Sequence, residues 1–144
     1  MQIREILTLK SDDIHSIAPA DTVEAAVGKL VGLGVGSLVV MQGGEMMGLV
    51  TERDIVKGMV KHGCDLKDTP VSQIMVTEPV VASADDSVDY ARDVMTKSHI
   101  GHLPILDGNK LLGIISFHDV ARACLKEANF ENSLLKRYIK HWPE

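Results

Sequence analysis

The chain has 144 residues, a formal net charge of −5, 45 % hydrophobic residues and 24 % charged residues. These proportions exclude a disordered chain, and the mild acidity disfavours a protein that binds the nucleic-acid backbone. The apolar runs stay below the roughly 20 residues of a membrane span, and the N-terminus lacks the layout of a signal peptide. We therefore expect a cytoplasmic protein with no membrane or nucleic-acid partner, in which Cys64 and Cys124 are reduced thiols.

The sequence repeats itself after 65 residues. Without a gap, Gly48-Leu-Val-Thr-Glu-Arg-Asp54 falls on Gly113-Ile-Ile-Ser-Phe-His-Asp119, and Val35–Val40 falls on Ile100–Ile105. A gapless match over so many residues is not expected by chance, so the pattern indicates a tandem duplication. We predict an N-terminal segment 1–10, a first repeat 11–63, a linker 64–72, a second repeat 73–127 and a C-terminal helical tail 128–144.

Each repeat is predicted to carry the same elements in the same order. A short strand comes first, then a capped helix, then two apolar runs joined by a glycine-containing turn, then a second helix. In the two repeats these are Ser16–Ala18 and Val80–Ala82, the caps Asp21 or Thr22 and Asp86 or Ser87, the turns Gln42–Glu45 and Asp107–Lys110, and helices from about Glu52 and Phe117. The pattern predicts an α/β (α+β) fold of two β-α-β-β-α halves. Neither half is large enough to stand well alone, so we expect them to pack around a pseudo-twofold axis.

Beyond the second repeat, apolar residues follow two helical stripes. One stripe contains Phe130, Leu134 and Tyr138, and the other Leu135, Ile139 and Trp142. Because such a stripe has no partner left inside the repeat, it packs either on the module itself or on a second chain. We favour this packing role over a functional one.

A hydroxyl residue ends a strand in each repeat, and an aspartate follows three positions later at a helix start. The pairs are Thr51 with Asp54 and Ser116 with Asp119. The aspartate can accept two hydrogen bonds from a cis-diol, while the hydroxyl and the free N–H groups of the helix start favour a phosphate. A nucleoside phosphate presents this diol and this anion. Taken alone, each pair is more simply a helix cap, and only the recurrence in both repeats favours a ligand site.

The repeat, the two aspartate motifs and Ile100-Gly-His-Leu-Pro-Ile105 resemble the CBS (cystathionine-β-synthase) domain family. Over about residues 11–127 the chain is similar to a stand-alone pair of such domains, called a Bateman module. The resemblance implies a non-catalytic regulatory homodimer with no required cofactor and no metal. It also implies an adenosine-containing ligand such as AMP, ATP or NADH between the repeats, and an unidentified partner protein that is regulated by the resulting conformational change.

The resemblance further implies that each cleft takes its ribose-binding aspartate from one repeat and its base pocket from the other. The first cleft then combines Asp54, Thr51 and Arg53 with Val80, Val81, Ala82, His102, Leu103 and Pro104. The second combines Asp119, Ser116 and His118 with Ser16, Ile17, Ala18, Gly36, Ser37 and Leu38. Arg53 and His102 are the expected phosphate donors. We rank the Asp54 cleft slightly ahead, because arginine stays charged whereas an unperturbed histidine is mostly neutral near pH 7.

Two positions depart from the family pattern. Val81 stands where a first-strand hydroxyl is usual, and Gly101 stands where a basic residue usually precedes His-Leu-Pro. These losses leave a second function open, a structural dimeric adaptor with weak or vestigial sites. An enzyme is disfavoured, because the sequence offers no nucleophile–base pair and no Walker glycine loop.

Overall fold

The computed structural model of the chain describes residues 1–10 and 13–140, with side chains through residue 137. Both repeats show the predicted β-α-β-β-α order, which confirms the fold. In chain order the elements are α1 (Ile3–Leu9), β1 (Ser16–Ile17), α2 (Val23–Leu33), β2 (Ser37–Gln42), β3 (Glu45–Thr51), α3 (Glu52–His62), a 3-10 turn (Val71–Gln73), β4 (Ala82–Ser83), α4 (Val88–Ser98), β5 (His102–Asp107), β6 (Lys110–Ser116) and α5 (Phe117–Lys140).

Each repeat builds a three-stranded sheet, in the orders β1-β2-β3 and β4-β5-β6. The first pair of strands is parallel and the second is an antiparallel hairpin. The register repeats as well, since Ile17 lies opposite Val40 and Ala82 lies opposite Ile105. The two hairpins coincide at the spacing of 65 that the sequence shows. The first strand of the second repeat is the exception, because it spans Ala82–Ser83 and not the predicted Val80–Ala82.

The first helix of each repeat is capped by a hydroxyl, which decides between the two predicted caps. The Thr22 side chain accepts from the backbone N–H of Ala25, and Ser87 caps α4 in the same way. The neighbouring Asp21 and Asp86 have a different role, because their carboxylates accept backbone N–H groups of the preceding loop. Both residue types thus fix the helix start, and only the hydroxyl is the cap proper.

The segment before each repeat packs on the other repeat. Ile3 and Ile6 of α1 are buried in the core of the second repeat, and Leu66 and Val71 of the linker are buried in the core of the first. The backbone N–H of Ile3 donates to Asp86 O at 2.9 Å, and that of Val71 donates to Asp21 O at 2.8 Å. The predicted outer segments 1–10 and 64–72 therefore supply core that each half lacks, in line with the small size of a single repeat.

Helix α5 runs without a break through position 128, where the tail was predicted to begin. Phe130 is 64 % exposed, and Leu134 and Leu135 are exposed too, so these three do not dock on the module. The side chains of Tyr138 and Ile139, and the whole of Trp142, lie outside the described part of the chain. Within the described residues, the module therefore leaves this apolar stripe of α5 uncovered.

Candidate functional site: two clefts between the repeats

The start of α3 holds Asp54 in a fixed orientation. Its Oδ2 accepts from the backbone N–H and from the hydroxyl of Thr51, both at 2.9 Å, and the Thr51 hydroxyl accepts from the Asp54 N–H at 3.3 Å. This is a capping box, so the local interpretation of the motif holds. All these bonds to the carboxylate go to Oδ2, and no hydrogen bond within the described residues involves Oδ1. The cap therefore orients one carboxylate oxygen for a further donor and does not compete with a ligand role.

The first cleft is a cavity of about 510 Å³ between the two repeats, and Asp54 lines it. Its cationic side chains are Arg53 and Lys57, which lie on α3 within one turn of Asp54. The remaining lining is Gly36, Leu49, Thr51, Glu52, Val76, Glu78, Pro79, Val80 and Ser98–His102. The structure thus brings Asp54, Thr51, Arg53, Val80 and His102 together as predicted for one site, whereas Val81 and Pro104 do not line it.

The second cleft is a smaller cavity of about 310 Å³ on the other side of the repeat interface. Ser37 and Ser116 line it, as the sequence predicts. The other lining residues are Leu7, Lys10, Asp13, Ile14, His15, Gly34, Val35, Gly36, His102, Leu112, Gly113 and Ile114. Lys10 was missed from the sequence, because its place depends on a contact across more than a hundred residues.

Several predicted residues lie away from the second cleft. Ile17 is buried in the core of the first repeat, and Ser16 beside it does not line the cavity. The exposed His118 pairs with Arg122 one helical turn later, at 2.7 Å between Nε2 and a guanidinium nitrogen. Pro104, which was predicted for the first cleft, is buried in β5 opposite Ile114. Strand and helix geometry explain these positions, because neighbouring residues on an element point to different faces.

Asp119 lies beside the second cleft and is engaged by Lys10. Its Oδ2 accepts from the Lys10 ammonium at 2.7 Å and from the Ser116 N–H at 2.8 Å. Burial by itself raises the pKa of Asp119, but the hydrogen bonds from Lys10 and Ser116 and the lysine charge together lower it below its usual value. Asp119 is therefore a carboxylate at neutral pH, with an ammonium already bound to it.

His102 lies between the clefts and lines both of them, as does Gly36. A Cβ on Gly36 would come within 2.8 Å of His102 Nε2, so any larger residue here would require the His102 ring to shift. Burial lowers the pKa of His102, against the opposing effect of the carboxylates of Glu52, Asp119 and Asp54. The imidazole is thus mainly neutral at pH 7, and added negative charge in either cleft would favour its protonated form.

The first cleft carries cationic side chains beside the acidic Glu52, Asp54 and Glu78. Arg53 and Lys57 can bind a phosphate at the mouth of the first cleft, since guanidinium and ammonium groups both pair with phosphate oxygens. Within residues 1–10 and 13–140, no three His, Cys, Asp or Glu side chains are placed to hold a metal ion. Over the part of the chain that the structure describes, no helix is both long enough and apolar enough to cross a membrane.

A family model described as the CBS domain matches residues 3–61 and again residues 71–126. Over 125 residues the chain is 34 % identical to the CBS domain-containing protein CBSX3, mitochondrial, of Arabidopsis thaliana, a match that covers 83 % of this chain and 61 % of that protein. The CBS-domain containing protein ATU1752 from Agrobacterium tumefaciens has a similar crystal structure, with a TM-score of 0.82 and 29 % identity over 85 % of this chain and 98 % of that one.

A second similar structure is the CBS domain pair of protein MJ0100 in complex with 5′-methylthioadenosine and S-adenosyl-L-methionine. Its TM-score is 0.76 at 22 % identity, over 88 % of this chain and 98 % of that one, so this likeness is one of fold. The chain spans less than two thirds of the length of the Arabidopsis relative. The two matched copies begin at Ile3 and Val71, in the segments that cross between the repeats. The chain belongs to the CBS-domain family and carries two copies of the domain in tandem.

Proposed function

We propose that this chain is a non-catalytic sensor that binds an adenosine nucleotide in the Asp54 cleft and passes the bound state to a partner protein. Tandem CBS pairs are generally regulatory, ligand-binding modules. The observation that carries the proposal is the capped Asp54, with one carboxylate oxygen left for a donor, beside Arg53 and Lys57 in a cavity between the repeats.

Each part of a nucleotide has a matching group in this cleft. The free carboxylate oxygen of Asp54 can accept from a ribose hydroxyl, and the cations on α3 can bind phosphate. Val80 and Ile100, together with Leu49, give the cavity apolar wall for a base. The adenosine-containing ligands of the MJ0100 pair support this choice of ligand class. AMP, ATP and NADH share the adenosine part that Asp54 recognises.

The position of the cleft suggests how binding is transmitted. Its lining comes from both repeats, so a bound ligand contacts two bodies at once and favours one relative orientation of them. A ligand shifts that equilibrium only by its difference in affinity for the two orientations. The output then passes through association, either within a homodimer or with the regulated protein.

Calorimetric titration of the full chain with AMP, ATP and NADH, after removal of any co-purified ligand, tests the proposal. We expect saturable binding of at least one of the three. Absence of heat and of a melting shift with all three would favour the adaptor instead. The adaptor function is supported by the exposed apolar face of α5, which suits protein association.

Nucleotide affinity should rise as the pH falls from 8 to 6, by about threefold to tenfold per pH unit in the steepest part. The sign follows from His102, whose pKa is lowered by burial in the free protein and is raised by a nearby phosphate. Binding therefore takes up a proton, which titrations in buffers of different ionisation enthalpy measure. The nucleotide's own phosphate also titrates in this range, so His102→Gln is measured in parallel. Identical pH profiles for the two proteins would remove His102 from the phosphate site.

Replacing both Phe130 and Leu134 with glutamate should raise the dissociation constant of a homodimer by tenfold or more, as measured by sedimentation at several concentrations. Both side chains are exposed on one face of α5, so the change places charge in the interface and leaves the core intact. Removal of residues 128–144 should have the same effect. Asn132→Glu, on the opposite face of the helix, is the control. Unchanged dimer content in the double variant would assign the dimer to another surface.

A further inference from the structure

Lys10 and Glu78 occupy equivalent places in the two clefts. Lys10 follows Ile3 by seven residues and Glu78 follows Val71 by seven, and these two start residues bond to equivalent aspartate carbonyls, Asp86 and Asp21. Lys10 lines the cleft beside Asp119, and Glu78 lines the cleft of Asp54. The chain thus places opposite charges at one position of its pseudo-twofold arrangement.

The segments that lead to Lys10 and to Glu78 form different hydrogen bonds with the neighbouring strand. At β3, Leu49 and Val76 exchange backbone hydrogen bonds of 3.0 and 2.9 Å. At the equivalent residue of β6, the carbonyl of Ile114 accepts from the Lys10 ammonium at 2.9 Å. The difference follows from α1, which stays helical through Leu9. The side chain of Lys10 therefore contacts β6, whereas the backbone of Val76 contacts β3.

This lysine also neutralises the aspartate of the second cleft. Its ammonium lies 2.7 Å from Asp119 Oδ2, and the two side chains are only 37 % and 14 % exposed. Asp119 Oδ1 carries no hydrogen bond within the described residues, just as in Asp54, so the difference between the clefts is one of charge. The Lys10 ammonium compensates the negative charge that would strengthen a hydrogen bond from a ribose hydroxyl, and the pair is partly shielded from water. Glu78 in the other cleft cannot make such a bond to Asp54.

We propose that Lys10 is an internal counter-ion that closes the Asp119 cleft to nucleotide, so that each chain binds one nucleotide, at Asp54. This inference rests on the proposed nucleotide-binding function. The opposing role for Lys10 is that of a phosphate ligand. Its two bonds to Ile114 O and Asp119 argue against that role, because the ammonium is held by acceptors of the protein itself.

Calorimetric stoichiometry with AMP as the probe tests the inference on the full chain. The wild type should bind one AMP per chain. Lys10→Met should bind two, and the added site should disappear in Lys10→Met with Asp119→Asn. Lys126→Met removes the same charge from an exposed position on α5 outside both cleft linings, and it should stay at one. Lys10→Gln serves as the second variant, because it keeps an N–H donor for Ile114 O if the methionine variant melts too low.

The Asp54→Asn background separates this inference from the proposed function. There the chain that keeps Lys10 should show only the weakened Asp54 site, and Lys10→Gln should add a second, tighter one. If the unmodified chain binds no AMP while the Lys10→Gln variant binds it, Lys10 is supported as the closing group and the Asp54 site is contradicted. Two sites in the wild type, or no added site in either lysine variant, would overturn the inference. Weaker binding in the lysine variants would instead identify Lys10 as a phosphate ligand.

Discussion

Replacing Asp54 with asparagine will lower the affinity for an adenosine nucleotide by about 10- to 100-fold, the usual cost of losing a hydrogen bond to a charged group. Asparagine keeps the size of the side chain and an oxygen for the cap, so the start of α3 should persist. What it loses is the free acceptor oxygen, because the atom in that position becomes an amide NH2 that donates and cannot accept from the ribose. Calorimetry with AMP, ATP or NADH, whichever binds the wild type, measures the change.

The matched control is Asp93→Asn, an exposed carboxylate on α4 that lines neither cleft. It changes the net charge by the same amount, so it reports any general electrostatic effect on an anionic ligand. Asp119→Asn is the second comparison and should leave affinity within about twofold of the wild type, since Lys10 already neutralises the charge of that carboxylate. Wild-type affinity in Asp54→Asn would show that the ligand is held elsewhere.

The repeat made most of the fold predictable. Because the match at 65 residues has no gap, the hairpins, the aspartate motifs and both capped helices could be located in one copy and carried to the other. The sheets then follow the same spacing, with Ile17 opposite Val40 and Ala82 opposite Ile105. Local signals were enough here, since caps, glycine turns and apolar periodicity depend on neighbouring residues.

The crossing segments could not be predicted from that repeat. Ile3 corresponds to Val71 at a spacing of 68 and not 65, so a gapless comparison misses the pair. Their partners are also distant in sequence, and Lys10 meets Asp119 through a contact that no local pattern encodes. The cleft linings were limited in the same way. His102 stands at an edge shared by both cavities, a position that follows from how two sheets pack and not from either sheet alone.

Gly48→Ala should destabilise the protein by about 2–3 kcal/mol, as expected for overpacking against rigid backbone. A Cβ at Gly48 would overlap the carbonyl oxygen of Val76, which is fixed by its hydrogen bonds with Leu49. Because Leu49 and Val76 also line the Asp54 cleft, nucleotide affinity should fall together with stability. Denaturant unfolding measures the first effect and calorimetry the second.

The equivalent Gly113→Ala separates a general glycine effect from this close approach. A Cβ at Gly113 would lie 3.1 Å from Leu7 Cδ2, the end of a side chain that can rotate away, so the cost should stay below about 1 kcal/mol. Gly32→Ala, inside α2 with nothing within 4 Å of the new methyl, should raise stability by about 0.5–1 kcal/mol. Equal losses at Gly48 and Gly113 would mean that the backbone at Val76 yields as easily as the Leu7 side chain. In that case the backbone of Val76, where it pairs with β3, would not hold the wall of the Asp54 cleft rigid.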